Sequence, residues 1–217
     1  ANDNANKNIY IYGKNGSSVT LNTGKSVAVN GIASNFSGEK TVGIYLENNG
    51  TANNFSGSDG TLNVLNEAVG IYSKGNNILN VNISAEGKNT TGIFIDGPST
   101  LTGIVTAKGT ASTAGTPGTG AIGVYGSGGA VTIGAGGLTL NMNSGKGTGM
   151  YLTDGAFATG EKIIVNNTTA NENNIGLYYS KGNTSGIVNN EVDIELQGNS
   201  SIGIYAADSI NLGNEKN

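Results

Sequence analysis

The chain has no cysteine, no histidine and no tryptophan, and all 11 of its basic residues are lysine. Each absence removes a class of chemistry. Without cysteine or histidine there is no zinc site of the usual kind, no thiol nucleophile and no Ser-His-Asp triad. Without arginine there is no planar fork for phosphate or carboxylate. Net charge is −4 with the lysines scattered, so the basic stripe that nucleic acid requires is missing. Only two prolines occur in 217 residues, which excludes collagen and proline-rich linkers. No apolar run approaches the roughly 18 residues of a membrane-spanning helix. The lack of cysteine suits a protein that crosses an oxidising space unfolded, where a stray disulfide would obstruct export. The chain begins at Ala1 and shows no signal peptide, which reads as a mature or excised fragment.

Glycine is what the chain has in excess, with 37 residues, accompanied by abundant asparagine. Much of the glycine recurs in one tripeptide, Gly-aliphatic-aromatic. The seven copies are Gly43-Ile44-Tyr45, Gly70-Ile71-Tyr72, Gly92-Ile93-Phe94, Gly123-Val124-Tyr125, Gly149-Met150-Tyr151, Gly176-Leu177-Tyr178 and Gly203-Ile204-Tyr205. Subtracting successive glycine numbers gives spacings of 27, 22, 31, 26, 27 and 27. A period in this range marks stacked repeats.

Each tripeptide sits in a segment that alternates at period two, as a half-buried strand does. Val42, Ile44 and Leu46 share one side, and Gly43 and Tyr45 the other. The aliphatic set is expected to point inward and the Gly/Tyr set outward, with the glycine making room for the ring. Further alternating runs lie between the tripeptides, at Leu62–Val64, Leu79–Ile83, Leu138–Met142 and Val192–Leu196. Turn residues such as Gly75-Asn76-Asn77 and Asp154-Gly155 separate them. Two or three short strands per period, with no helical periodicity, predict an all-β parallel β-helix of roughly seven to eight rungs stacked about 4.8 Å apart. The whole of 1–217 is expected to be one such segment, with 1–8 frayed and 106–120 a protruding loop. It would be a fragment of a longer chain and a monomer.

Three sets of outward residues are candidates for function. Tyr45, Tyr72, Phe94, Tyr125, Tyr151, Tyr178 and Tyr205 should form a ladder, with Tyr12 and Tyr10 extending it. Such a ladder stabilises stacked strands; it is also a candidate binding platform for glycan rings or a protein partner. Glu191, Asp193 and Glu195 alternate along one strand, as ligands of a hard cation would or as a solvated strand face does. Asn63, Asn80, Asn82, Asn141 and Asn211 suggest stacked amides on the outside. No cofactor, metal or catalytic residue is expected.

The iterated Gly-Ile-Tyr strands, the Asn/Gly/Ser/Thr richness, the missing cysteine and short repeats such as Ala52-Asn53-Asn54-Phe55-Ser56-Gly57 resemble the passenger domains of classical (type V) autotransporters, above all the large fusobacterial outer-membrane adhesins. The resemblance implies a right-handed parallel β-helix projecting from the cell surface, held in the outer membrane by a C-terminal barrel that this sequence does not contain, and adhesion to a host-cell or bacterial surface receptor. A spacer that carries a distal binding tip is the companion expectation. A β-helical carbohydrate-active enzyme of the pectin-lyase type is a third, though the chain has neither the arginine base nor the Gly-His-Gly element that such enzymes carry.

Overall fold

The structure is a computed structural model that describes residues 9–31, 41–109, 120–144, 147–167, 174–180, 188–189, 193–198, 201–207 and 210–211. The described residues are all-β, with no helix, and every strand pairing among them is parallel. Parallel neighbours cannot be joined by a hairpin, so the chain must leave a sheet and return between paired strands. Eight strands form one sheet in chain order: Ile9–Lys14, Val42–Glu47, Val69–Lys74, Thr91–Asp96, Ile122–Ser127, Thr148–Thr153, Asn174–Tyr179 and Ser201–Ala206. Seven of them carry the repeated tripeptide. The segments between them build a second, 10-stranded sheet whose longest strands are Asn77–Glu86, Ser99–Lys108 and Ala130–Ser144.

One continuous core lies between the two sheets. The first sheet contributes Ile44, Ile71, Ile93, Val124, Met150 and Leu177, all buried. The second contributes the aliphatic members of the alternating runs, including Leu62, Val64, Leu79, Ile83, Leu138 and Leu140. The second sheet bends within its strands. Gly103 has a φ of +108° beside a register shift at Leu101/Gly103, and a side chain there would meet the Val81 carbonyl. In Ala130–Ser144 the matching break is at Gly136 and Gly137, with φ of +99° and +75°.

Two expectations need adjustment here. The loop expected over 106–120 begins later: Thr106, Ala107 and Lys108 complete a strand paired on both sides, with Ala107 in the core. Residues 110–119 of that loop, and the end expected to fray at 1–8, lie outside the described residues.

The glycines of the tripeptide do not share the ring's side. Gly43, Gly70, Gly92, Gly123, Gly149 and Gly176 are buried, and so is the residue after each. Strict alternation is interrupted, and two consecutive residues face inward. A Cβ on Gly123 would lie 2.8 Å from Cγ1 of Val105, a core residue of the opposite sheet, and 2.6 Å from the carbonyl oxygen of Gly149. The same approach to the next glycine's carbonyl, at 2.6 to 2.8 Å, recurs from Gly43 through Gly176. Glycine is therefore required by the backbone of the neighbouring rung and by the core, not by the ring.

Candidate functional site

Beyond the glycine–aliphatic pair the pleat turns the next residue outward, and that residue is the aromatic. Strand register matches like with like: Tyr12 with Tyr45, Tyr45 with Tyr72, Tyr72 with Phe94, and so on to Tyr178 with Tyr205. The rings follow the register. From Tyr12 to Tyr205 eight rings stack in one unbroken column, with centroids 4.7 to 5.6 Å apart and planes 7 to 22° from parallel. Strand spacing of about 4.8 Å sets this separation. All seven ring residues singled out by sequence are thus brought together, and Tyr12 extends them. Tyr10 does not join: it is exposed and takes part in none of these stacks.

Stacking decides what the column can offer. Every interior ring has another ring against each of its faces, so its outward surface is an edge and, for tyrosine, a hydroxyl. A platform of open ring faces, the arrangement that would hold sugar rings flat, is not what the geometry provides.

Two further columns flank the rings. On one side run the residues just before the ladder glycines, Val42, Val69, Thr91, Ile122, Thr148 and Ile175, in register. Val69 and Ile175 are buried yet stand apart from the inter-sheet core. On the other side the residue two positions after each ring forms a rim: Lys14, Glu47, Lys74, Asp96, Ser127 and Thr153.

The rim divides the ladder into two halves. In the first, charges alternate in sign and engage the rings. Tyr12 donates its hydroxyl to Glu47 Oε2 at 2.6 Å, Lys74 Nζ donates to Glu47 Oε1 at 3.2 Å, and Tyr72 donates to Asp96 Oδ2 at 3.1 Å. These bonds from Tyr12 and Lys74 hold the Glu47 carboxyl below its ordinary value, and the bond to Glu47 raises Lys74. Burial, followed by the Asp96 charge, pushes Tyr72 up to about 12. In the second half the rim positions are hydroxyls, and the charge beside them is Asp154. Ser127 donates to Asp154 at 3.1 Å, and Ser180 donates to Thr153 at 2.9 Å. The hydroxyls of Tyr125, Tyr151, Tyr178 and Tyr205 have no hydrogen-bond partner among the described residues. Burial raises the Tyr125 and Tyr178 phenols.

The other sequence candidates behave differently. Glu195 is held by Lys162 Nζ at 2.7 Å and by Gln197 at 2.6 Å, Asp193 is exposed, and Glu191 lies outside the described residues. Among the described residues no three carboxylates gather as a cation site. The outer asparagines do not form one stack. Asn141 accepts from Asn166 at 3.1 Å, whereas Asn63 donates to Ser26 at 2.6 Å and Asn82 to Thr61 at 3.4 Å. The side chain of Asn211 lies outside the described residues.

The strongest amide ladder is internal, and sequence reasoning missed it. Asn53 and Asn77 are fully buried where the chain turns from the first sheet into the second. Asn53 Oδ1 accepts from the Ser17 amide at 2.9 Å, and its Nδ2 donates to Asn77 Oδ1 at 2.8 Å. Asn77 Nδ2 donates in turn to Ser73 Oγ at 2.9 Å, which pairs with Ser99 Oγ at 3.0 Å. Four rungs are tied by this chain of bonds. The signal was the common offset of Asn77 and Ser99, each five residues after its ring (77 − 72 and 99 − 94).

No protein-family model, no curated protein and no solved structure matches the chain.

Proposed function

We propose that the chain is a non-catalytic segment of a cell-surface adhesin, built as a right-handed parallel β-helix of seven to eight rungs and displayed in the manner of a type V autotransporter passenger. Its outer face and loops contact a glycan or protein on a host-cell or bacterial surface, and a membrane barrel beyond this chain anchors it. The observation that carries this reading is the eight-strand parallel sheet whose like residues align from end to end. Such a sheet makes a stiff shaft with a long ridged exterior. The composition and the repeated Gly-Ile-Tyr strands support the autotransporter comparison.

Binding of the purified protein to cultured host cells, to partner bacteria in coaggregation and to a glycan array tests the adhesion. Saturable binding in any of the three supports it. If all three stay blank, the segment is a spacer. The mutual stacking of the rings favours that second reading, because a ladder that occupies its own faces serves the shaft before it serves a ligand.

A further inference from the structure

The two ends of the paired sheets expose what their interior buries. Eight of the ten large apolar side chains that stand exposed among the described residues lie on the end strands of the two sheets, a concentration that marks contact surfaces. Ile9 and Ile202 end one column at 46% and 43% exposure, while Val69 inside it is at 4%. In the second sheet, Val27 and Leu196 end the column that runs through Leu62 and Leu140, both buried. Tyr12 and Tyr205 end the ring column, each with a ring stacked on one face alone among the described residues. No described strand pairs with the outer side of Ile9–Lys14 or of Ser201–Ala206, so backbone groups are left there for a further strand. From Gly43 to Gly176 the carbonyl that requires glycine belongs to the following strand. Gly203 keeps the glycine where, among the described residues, an added carbon would meet only the Leu196 side chain.

We propose that copies of this chain join head to tail, the Ser201–Ala206 edge of one against the Ile9–Lys14 edge of the next, as a parallel continuation of both sheets. The fit on view is between the chain's own two ends. Continuing the register sets Ile202 beside Ile9, Tyr205 on Tyr12 and Leu196 beside Val27, which repeats the internal pairings. It also sets Glu195 opposite Ser26 and next to the exposed Lys25, a charge of the other sign. Two like ends joined to each other would break this match, because the partner's strands would run the other way or present their other face. A head-to-tail contact does not close, so every added copy leaves one end of each kind free. The monomer expected from the sequence is then the dilute form. The assembly holds whether or not the shaft adheres to a cell.

Sedimentation velocity of the whole chain over a series of concentrations tests this. Dimers, trimers and longer species should appear in turn as concentration rises. Ile9→Lys and Ile202→Lys each place a charge on one edge, a device that blocks strand addition, at side chains that are already exposed. Each variant should keep the circular dichroism of the wild type and lose assembly. An equal mixture of the two should form a dimer and nothing larger, because one intact head meets one intact tail and the blocked ends stop growth. Val27→Lys and Leu196→Lys should give the same pair of results from the second sheet. The inference is overturned if the wild type stays monomeric at every concentration, if the variants assemble as the wild type does, or if both mixtures stay monomeric or grow beyond the dimer. Dimers formed by one variant alone also overturn it, since they show a contact between like ends.

Discussion

Gly123 and Gly149 stand one rung apart, and a methyl group on the first would lie 2.6 Å from the carbonyl oxygen of the second. That contact is with backbone, which cannot rotate away. The ladder glycines are therefore spacing elements between rungs. Gly123→Ala is expected to cost about 3 kcal/mol, at the upper end for an overpacked site. Gly50→Ala serves as the control, because nothing lies within 4 Å of the added carbon, and it should fall within about 0.5 kcal/mol of wild type. Urea unfolding followed by circular dichroism distinguishes the two.

The ring column makes a second separation possible. Tyr151 stacks on Tyr125 and Tyr178, and its hydroxyl bonds to nothing among the described residues. Tyr151→Ala should therefore destabilise by about 2 kcal/mol through lost stacking and burial, and Tyr151→Phe by less than about 0.5 kcal/mol. Tyr72→Phe, which gives up the bond to Asp96, should fall between them at no more than about 1 kcal/mol. Urea midpoints of the three variants check the order.

Alkaline pH should loosen the ladder. Tyr72 ionises near 10 when unfolded and is pushed up to about 12 in the fold, and Tyr45, Tyr125 and Tyr178 are shifted in the same direction by burial. The folded chain thus holds phenolic protons that the unfolded chain releases. The stability this represents is complete below pH of about 10 and is lost as pH climbs towards about 12. Phenolate absorbance should accordingly rise at higher pH in native protein than in urea. Coincident native and denatured titrations would contradict the burial of the rings.

The internal amides offer a fourth test. Asn77 is completely buried, and its side chain serves Asn53, Ser73 and the Lys74 carbonyl. Asn77→Ala leaves several of these groups unsatisfied and should cost about 3 kcal/mol. Asn77→Asp places a charge in the same enclosure and should be worse at neutral pH than in mild acid, where the carboxyl is protonated. Thermal melts at the two pH values check the sign.

Much of this architecture was legible because its strongest rule is local. Alternation alone assigns Ile44, Ile71 and Val124 to the core and the rings that follow them to the outside. Even the irregular spacings of 22 and 31 did not mislead, since the length differences fall in the segments between ladder strands and leave the register intact. Alternation alone points the glycines outward, because it assumes an even pleat, and the pleat breaks at each Gly-aliphatic pair. The clue was constancy. The aliphatic position accepts Ile, Val, Met or Leu, while the glycine position accepts no serine or alanine, as an open site beside a ring would. Asn53 and Asn77 were hidden by abundance, for a buried asparagine cannot be told from its many exposed neighbours by type. The charged rim was present as a two-residue offset after each ring, at Glu47, Lys74 and Asp96, and becomes meaningful only when the strands are laid side by side.

The matching of each rung to its neighbour, glycine over glycine and ring over ring, has a consequence for how such a chain changes through generations. A recombination event between two repeats in the gene removes or duplicates whole rungs. The new neighbours then meet the surfaces the old ones met, so the sheet can gain or lose strands without relearning how to fold.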